Sequence, residues 1–129
     1  MTKKRTFVSF DYDYDLDIKG AFVAQARNED SPFEIVDMSI KEAIAHNWKE
    51  KARQRIKTCD VLVVLCGEHT DCASGVSCEL QIAKEENIPY FLLQGRNGNK
   101  CVKPKSANLY DKIYDWTWNN IKLLFQGCR

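Results

Sequence analysis

A continuous apolar run, Val61-Leu-Val-Val-Leu65, closes in Cys66-Gly67. A polar loop, residues 68–74, separates it from a helix-like pattern that opens at Gly75-Val76-Ser77-Cys78-Glu79-Leu80. Few architectures can use such a run. A strand without polar alternation has to be covered on both faces, and a helix leaving its end is the mark of a parallel sheet. In open sheets of this kind, ligands bind beyond the carboxyl ends of the strands. Glu79, one turn into that helix, is therefore aimed at a candidate active site.

The rest of the chain repeats the alternation. Thr6-Phe-Val-Ser-Phe10 reads as a first strand, with the acidic loop Asp11-Tyr-Asp-Tyr-Asp15 at its end. Leu16 to Arg27 carries Ile18, Phe22 and Ala26 at helical spacing. Phe33-Glu-Ile-Val36 reads as a second strand, followed by a longer connection from Asp37 to a helix over about 47–57. After the strand at 61–65 and the helix at 76–86, Pro89 to Leu93 is a fourth strand, with proline tolerated at its start. Residues 94–107 read as loop, 112–115 as a short fifth strand, and 117–126 as a last helix with Ile121, Leu124 and Phe125 on one side. Strands alternating with helices imply right-handed crossovers and a parallel sheet covered on both faces. Five such units in 129 residues predict an α/β, flavodoxin-like doubly wound sheet of order 2-1-3-4-5, in a single domain spanning 1–129.

Charge and cysteine usage narrow the function. A net charge of +1, with no basic run beyond Lys3-Lys4-Arg5, offers nothing to nucleic acid or to a membrane surface. No apolar stretch approaches the roughly 18 residues that span a bilayer, and no signal peptide is visible, so a cytoplasmic location is expected. The six cysteines, at 59, 66, 72, 78, 101 and 128, form no Cys-x2-Cys pair and are joined by only two histidines, His46 and His69. Zinc-ligand spacing is absent, and reduced thiols without metal or structural disulfide are the expectation.

The acidic loop sits where a flavodoxin would hold phosphate, and three aspartates there argue against bound flavin mononucleotide. Asp13 or Asp15 is read as a cap of the first helix; Tyr12 or Tyr14 stacking on a flat ring is the alternative. A phosphorylated receiver domain would need an aspartate at the end of the third strand, where Cys66-Gly67 stands. Glu79 lies about 60° from the centre of the stripe formed by Val76, Leu80 and Ala83, so it flanks the apolar face, whereas Glu85 projects opposite it. One carboxylate suffices for glycosidic cleavage when the leaving group needs no proton. The nicotinamide of NAD is such a group: it departs neutral from a pyridinium and leaves an oxocarbenium that requires negative charge and exclusion of water. Spacing alone also allows Glu79 to be a surface residue complementing the helix dipole.

Phe7-Val-Ser-Phe10 with acidic residues after it, Cys59-Asp-Val-Leu-Val-Val-Leu-Cys-Gly67 with Thr70, and Ser74-Gly-Val-Ser-Cys-Glu-Leu-Gln-Ile-Ala83 together resemble TIR-like domains. The resemblance is nearest to the TIR-like subfamily of the Thoeris antiphage defence system, the ThsB group, and extends to Tyr114-Asp-Trp-Thr-Trp-Asn-Asn-Ile121. Many TIR domains carry a Trp-Cys pair where this chain has Gly75-Val76. The resemblance implies that Glu79 is the glutamate essential for NAD cleavage, with NAD+ as substrate and no bound cofactor. It further implies a sensor whose ADP-ribose-derived product activates a partner effector, with a phage-derived trigger and self-association on activation.

Phe10, Asp11 and Tyr12 at the first strand end, Asp37 and Ser39 after the second, and Glu68, His69, Thr70 and Ser74 beyond the third all converge on the edge that holds Glu79. All of these except Glu68 are the candidate substrate-binding set. His69 either contacts substrate or is merely exposed; Asp37 either bonds ribose hydroxyls or caps its turn. Trp48 is read as packing rather than as a stacking platform, and Trp116 and Trp118 as core or interface residues. Two other functions use the same features: a nucleoside deoxyribosyltransferase with a glutamate nucleophile, and a non-catalytic TIR-like interaction module.

Overall fold

A computed structural model describes residues 3–38, 48–96 and 100–127, with the side chains of Asp37 and Trp48 left aside. Five strands form one wholly parallel sheet: β1 (Lys4–Phe10), β2 (Phe33–Met38), β3 (Val61–Cys66), β4 (Tyr90–Gln94) and β5 (Ile113–Tyr114). Their order is β2-β1-β3-β4-β5, the order expected from the alternation of elements. The helices are α1 (Leu16–Ala26), α2 (Trp48–Lys57), α3 (Ser74–Glu85) and α4 (Trp118–Phe125). A 3-10 turn, Thr70–Cys72, interrupts what reads in the sequence as plain loop.

Strand β3 is the spine. All six of its residues are buried, and its β-branched side chains pack on both faces at once. Val61, Val63 and Leu65 join Val8, Phe10, Phe91 and Leu93 in a core closed by Ile18 and Phe22 of α1 and by Ile121, Leu124 and Phe125 of α4. On the other face Leu62, Val64 and Cys66 join Phe7 and Leu92 under Ala52 and Ile56 of α2 and Val76, Leu80, Ile82 and Ala83 of α3. Aromatic contacts tighten the first core, with the Phe33 and Phe125 rings parallel at 4.7 Å and Phe91 edge-on to Phe125 at 5.1 Å. Trp116 packs against the same core and donates its indole N–H to Gln25 Oε1 at 2.7 Å.

Alternation along β1 decides what reaches the site. Phe7 and Ser9 face α2 and α3, while Val8 and Phe10 face α1 and α4. Register places Ser9 opposite Val64 and Phe10 opposite Leu65, so β1 and β3 end side by side. Their chains then diverge, β1 toward α1 on one face and β3 toward α3 on the other. That divergence opens a crevice between the two strand ends, the topological switch point of a doubly wound sheet.

Candidate active site

Glu79 packs from α3 against β1, beside this switch point. It lies in the second turn of α3 and is only 4% exposed, because the buried arc of the helix is wider than the sequence stripe and takes in Val76, Glu79, Leu80, Ile82 and Ala83. Its Oε1 accepts a 2.7 Å hydrogen bond from Ser9 Oγ, across 70 positions of sequence, and Ser9 is itself fully buried. A carboxylate in such a place loses hydration, so each remaining dipole or charge acts on it through a low local dielectric. Glu85, one and a half turns on, is exposed and forms an ion pair with Arg53 of α2 at 2.8 Å.

The acidic loop builds one wall. Asp11 is 8% exposed and its Oδ1 accepts from the Asp13 amide at 3.1 Å, a side-chain turn that folds the loop back on itself. Asp15 stands at the N-cap of α1 as expected, but its side chain makes no capping bond. It is instead 1% exposed and reaches Arg96, whose Nη2 lies 3.2 Å from Asp15 Oδ1. Arg96 also donates to Asp17 at 2.8 and 3.0 Å and to the Tyr14 carbonyl at 2.7 Å. Among the described residues Asp15 Oδ2 has no hydrogen-bond partner. Burial pushes the Asp15 carboxyl above the ordinary carboxylate value, more than Arg96 pulls it down, whereas the exposed Asp17 is drawn below it by Arg96.

The opposite wall is the loop leaving β3. Gly67 donates its amide to Thr70 Oγ1 at 2.7 Å, its carbonyl accepts from Val102 at 3.0 Å, and the Cys66 carbonyl accepts from Gly95 at 2.8 Å. The two walls touch through Tyr14 and His69, whose rings stack at 4.0 Å and 28°.

The candidate substrate-binding set divides accordingly. Asp11 and Tyr12 lie in the first wall and His69 in the second, where His69 is exposed and engaged by Tyr14. Ser74 is exposed at the first position of α3. Phe10 points away from the crevice into the α1/α4 core and stacks on Tyr12 at 5.3 Å, so only its backbone lies at the strand end. Thr70 is fully buried and its hydroxyl holds the Gly67 turn. Asp37 lies near the end of β2, paired in register with Phe7, with its side chain outside the described atoms, and Ser39 lies outside the described residues. Among the described residues no group of His, Cys, Asp and Glu is disposed to hold a metal ion, and no helix is long and apolar enough to cross a membrane. Cys59, Cys66, Cys72, Cys78 and Cys101 are free thiols.

Two contributors escaped the sequence reading. Ser9 is a small residue in an apolar strand, and only the alternation that sets it on the face of Phe7 hints that it meets α3. Arg96 lies in a loop whose composition carries no periodic signal.

A five-stranded parallel sheet of this order, with a buried glutamate on the helix after its third strand, defines a flavodoxin-like domain of the TIR-like class. The chain belongs to the family described as Thoeris protein ThsB, TIR-like domain, which matches residues 7–99. That stretch runs from β1 to just beyond β4 and contains Ser9, Asp15, Glu79 and Arg96. No curated protein gives a significant match.

Proposed function

We propose that this domain cleaves the nicotinamide–ribose bond of NAD+ and makes an ADP-ribose-derived signal in antiphage defence. The C–N bond breaks with its electron pair going to the pyridine nitrogen, so nicotinamide leaves neutral and positive charge develops on the ribose. Glu79 stabilises that cation electrostatically or captures it covalently. A hydroxyl of the same ADP-ribose, or of a bound small molecule, then forms the new bond and gives up its proton. The observation that carries this reading is the burial of Glu79 at the crevice between β1 and β3, since a carboxylate withdrawn from water stabilises developing positive charge far better than a solvated one.

The Tyr14–His69 stack supports the choice of acceptor. It joins the loops after β1 and β3, and loops held together at these strand ends would shield the cation from water and favour cyclisation or conjugation over hydrolysis. The signal would act on a downstream effector, and a phage-derived trigger and self-association would complete the site. Chromatography with mass analysis of the triggered reaction is the test. Nicotinamide with a cyclic or conjugated ADP-ribose is the expected outcome. Linear ADP-ribose alone would remove the signalling step and leave NAD cleavage standing. Glu79→Gln should lower turnover by orders of magnitude while Glu85→Gln leaves it nearly unchanged, and full turnover by a folded Glu79→Gln protein would refute the assignment. Turnover of deoxynucleosides in place of NAD would favour the deoxyribosyltransferase reading.

A further inference from the structure

Four hydroxyl side chains are buried among the described residues: Thr6, Ser9, Ser31 and Thr70. Three act locally. Thr6 donates to the Lys4 carbonyl, Ser31 to the Phe33 carbonyl, and Thr70 accepts from Gly67, each within three positions of its own place in the chain. Only Ser9 reaches a side chain of another element, and that side chain is Glu79. A buried hydroxyl costs stability unless it is bonded, and the bond to Glu79 satisfies Ser9 in an otherwise apolar setting of Phe7 and β3.

Ser9 is also rigidly placed. It lies in β1, flanked on one side by β3 and one residue from the strand end, so its Cβ direction is set by the most buried part of the sheet. A glutamate carries three rotatable bonds, and a helix backbone alone does not orient its carboxylate. A donor fixed on a central strand restricts it, because a 2.7 Å bond anchors one of the two oxygens.

We propose that Ser9 is a positioning residue for Glu79: its hydroxyl bonds to the carboxylate and favours the orientation that meets the ribose. This assignment rests on the reaction proposed above. Ser9 itself touches no reacting atom. It acts by keeping the charge where the oxocarbenium develops, and small errors in such placement are costly to rate.

The test pairs kinetics with a readout that needs no turnover. Ser9→Ala removes one oxygen and should lower kcat about 10- to 100-fold with KM little changed, the range expected for a hydrogen bond to a charged group. The acidic limb of its pH–rate profile should move to higher pH, since the donor that favoured the ionised carboxylate is gone. Ser9→Thr retains the hydroxyl and should recover most of the rate and the original acidic limb. Independently, a carbon-13 NMR titration of the Glu79 carboxyl should show protonation at higher pH in Ser9→Ala than in the parent chain. Wild-type kcat with an unmoved acidic limb in Ser9→Ala would overturn the proposal, as would an unchanged titration of Glu79. If the triggered parent protein shows no NAD turnover, the proposed reaction fails, and the titration still decides whether Ser9 governs Glu79.

Discussion

Gly67 has no room for a side chain, and the reason is Asp15. A Cβ built on Gly67 would stand 2.7 Å from Asp15 Cγ and closer still to both carboxylate oxygens. Asp15 cannot swing clear, being 1% exposed and tied to Arg96. Gly67→Ala therefore has to displace either the loop after β3 or the carboxylate. Overpacking of this kind costs about 1–3 kcal/mol, and pulling a buried acceptor off its partner adds about 1–3 kcal/mol when that route is taken. Taking the midpoint of one term or of both, a loss of about 2–4 kcal/mol is the expected result. With an unfolding entropy of about 2.1 cal/mol/K per residue, a chain of 129 residues should lose roughly 7–15 °C in Tm. Urea unfolding followed by tryptophan fluorescence measures the change. Gly20→Ala in α1 is the control: nothing lies within 4 Å of its new methyl, so it should stabilise by about 0.5–1 kcal/mol. The decisive variant is the double one. In an Asp15→Ala background the obstruction is gone, and Gly67→Ala should cost at least about 1.5 kcal/mol less than it does alone. A Gly67→Ala protein within about 0.5 kcal/mol of the parent, or a double variant that is simply additive, would refute the steric argument.

The buried Asp15 also predicts a pH signature. Its folded carboxyl lies above its ordinary value of 3.8, so the folded protein holds that proton more tightly than the unfolded chain; the resulting stability is complete below 3.8 and is lost as pH rises through the raised value. Relative to Asp15→Asn, the parent chain should lose stability across that window in urea titrations, and a pH-independent difference would contradict it. The thiols should separate by burial: Cys72 is exposed, whereas Cys66 is fully buried and its thiol is pushed well above the ordinary range by desolvation. Under a thiol reagent with mass detection, Cys72 should label quickly and Cys66 only on unfolding; equal rates would refute the burial argument.

The fold was legible because its strongest signals are local. The unbroken apolar run at 61–65 demanded a doubly covered strand, and i, i+4 spacing at Ile18, Phe22 and Ala26 found α1 to within a residue. Glu79 was legible as a position after a strand end, though its burial exceeds what the stripe of α3 suggests. Side-chain direction was less well read. Phe10 was placed at the site by sequence proximity, yet the two-residue period of β1 turns it to the opposite face from Ser9. Thr70 was placed there for the same reason, and a three-residue turn absorbs its hydroxyl instead. Ser9 and Arg96 depend on contacts 70 and 81 positions away, and no periodicity within a single element encodes such pairings.

The shortness of β5 bears on how this domain behaves among copies of itself. At the margin of the sheet a full-length strand would offer a row of unpaired amides and carbonyls, a template on which another chain could crystallise as an added strand. Ile113 and Tyr114 are paired on one side to Leu92 and Leu93 and leave only a two-residue margin on the other. Exposed charges bracket that margin, Lys112 before it and Asp115 after it. An incoming strand would gain too few hydrogen bonds to offset the desolvation of these ions, so this side of the sheet resists edge-to-edge growth even at high local concentration.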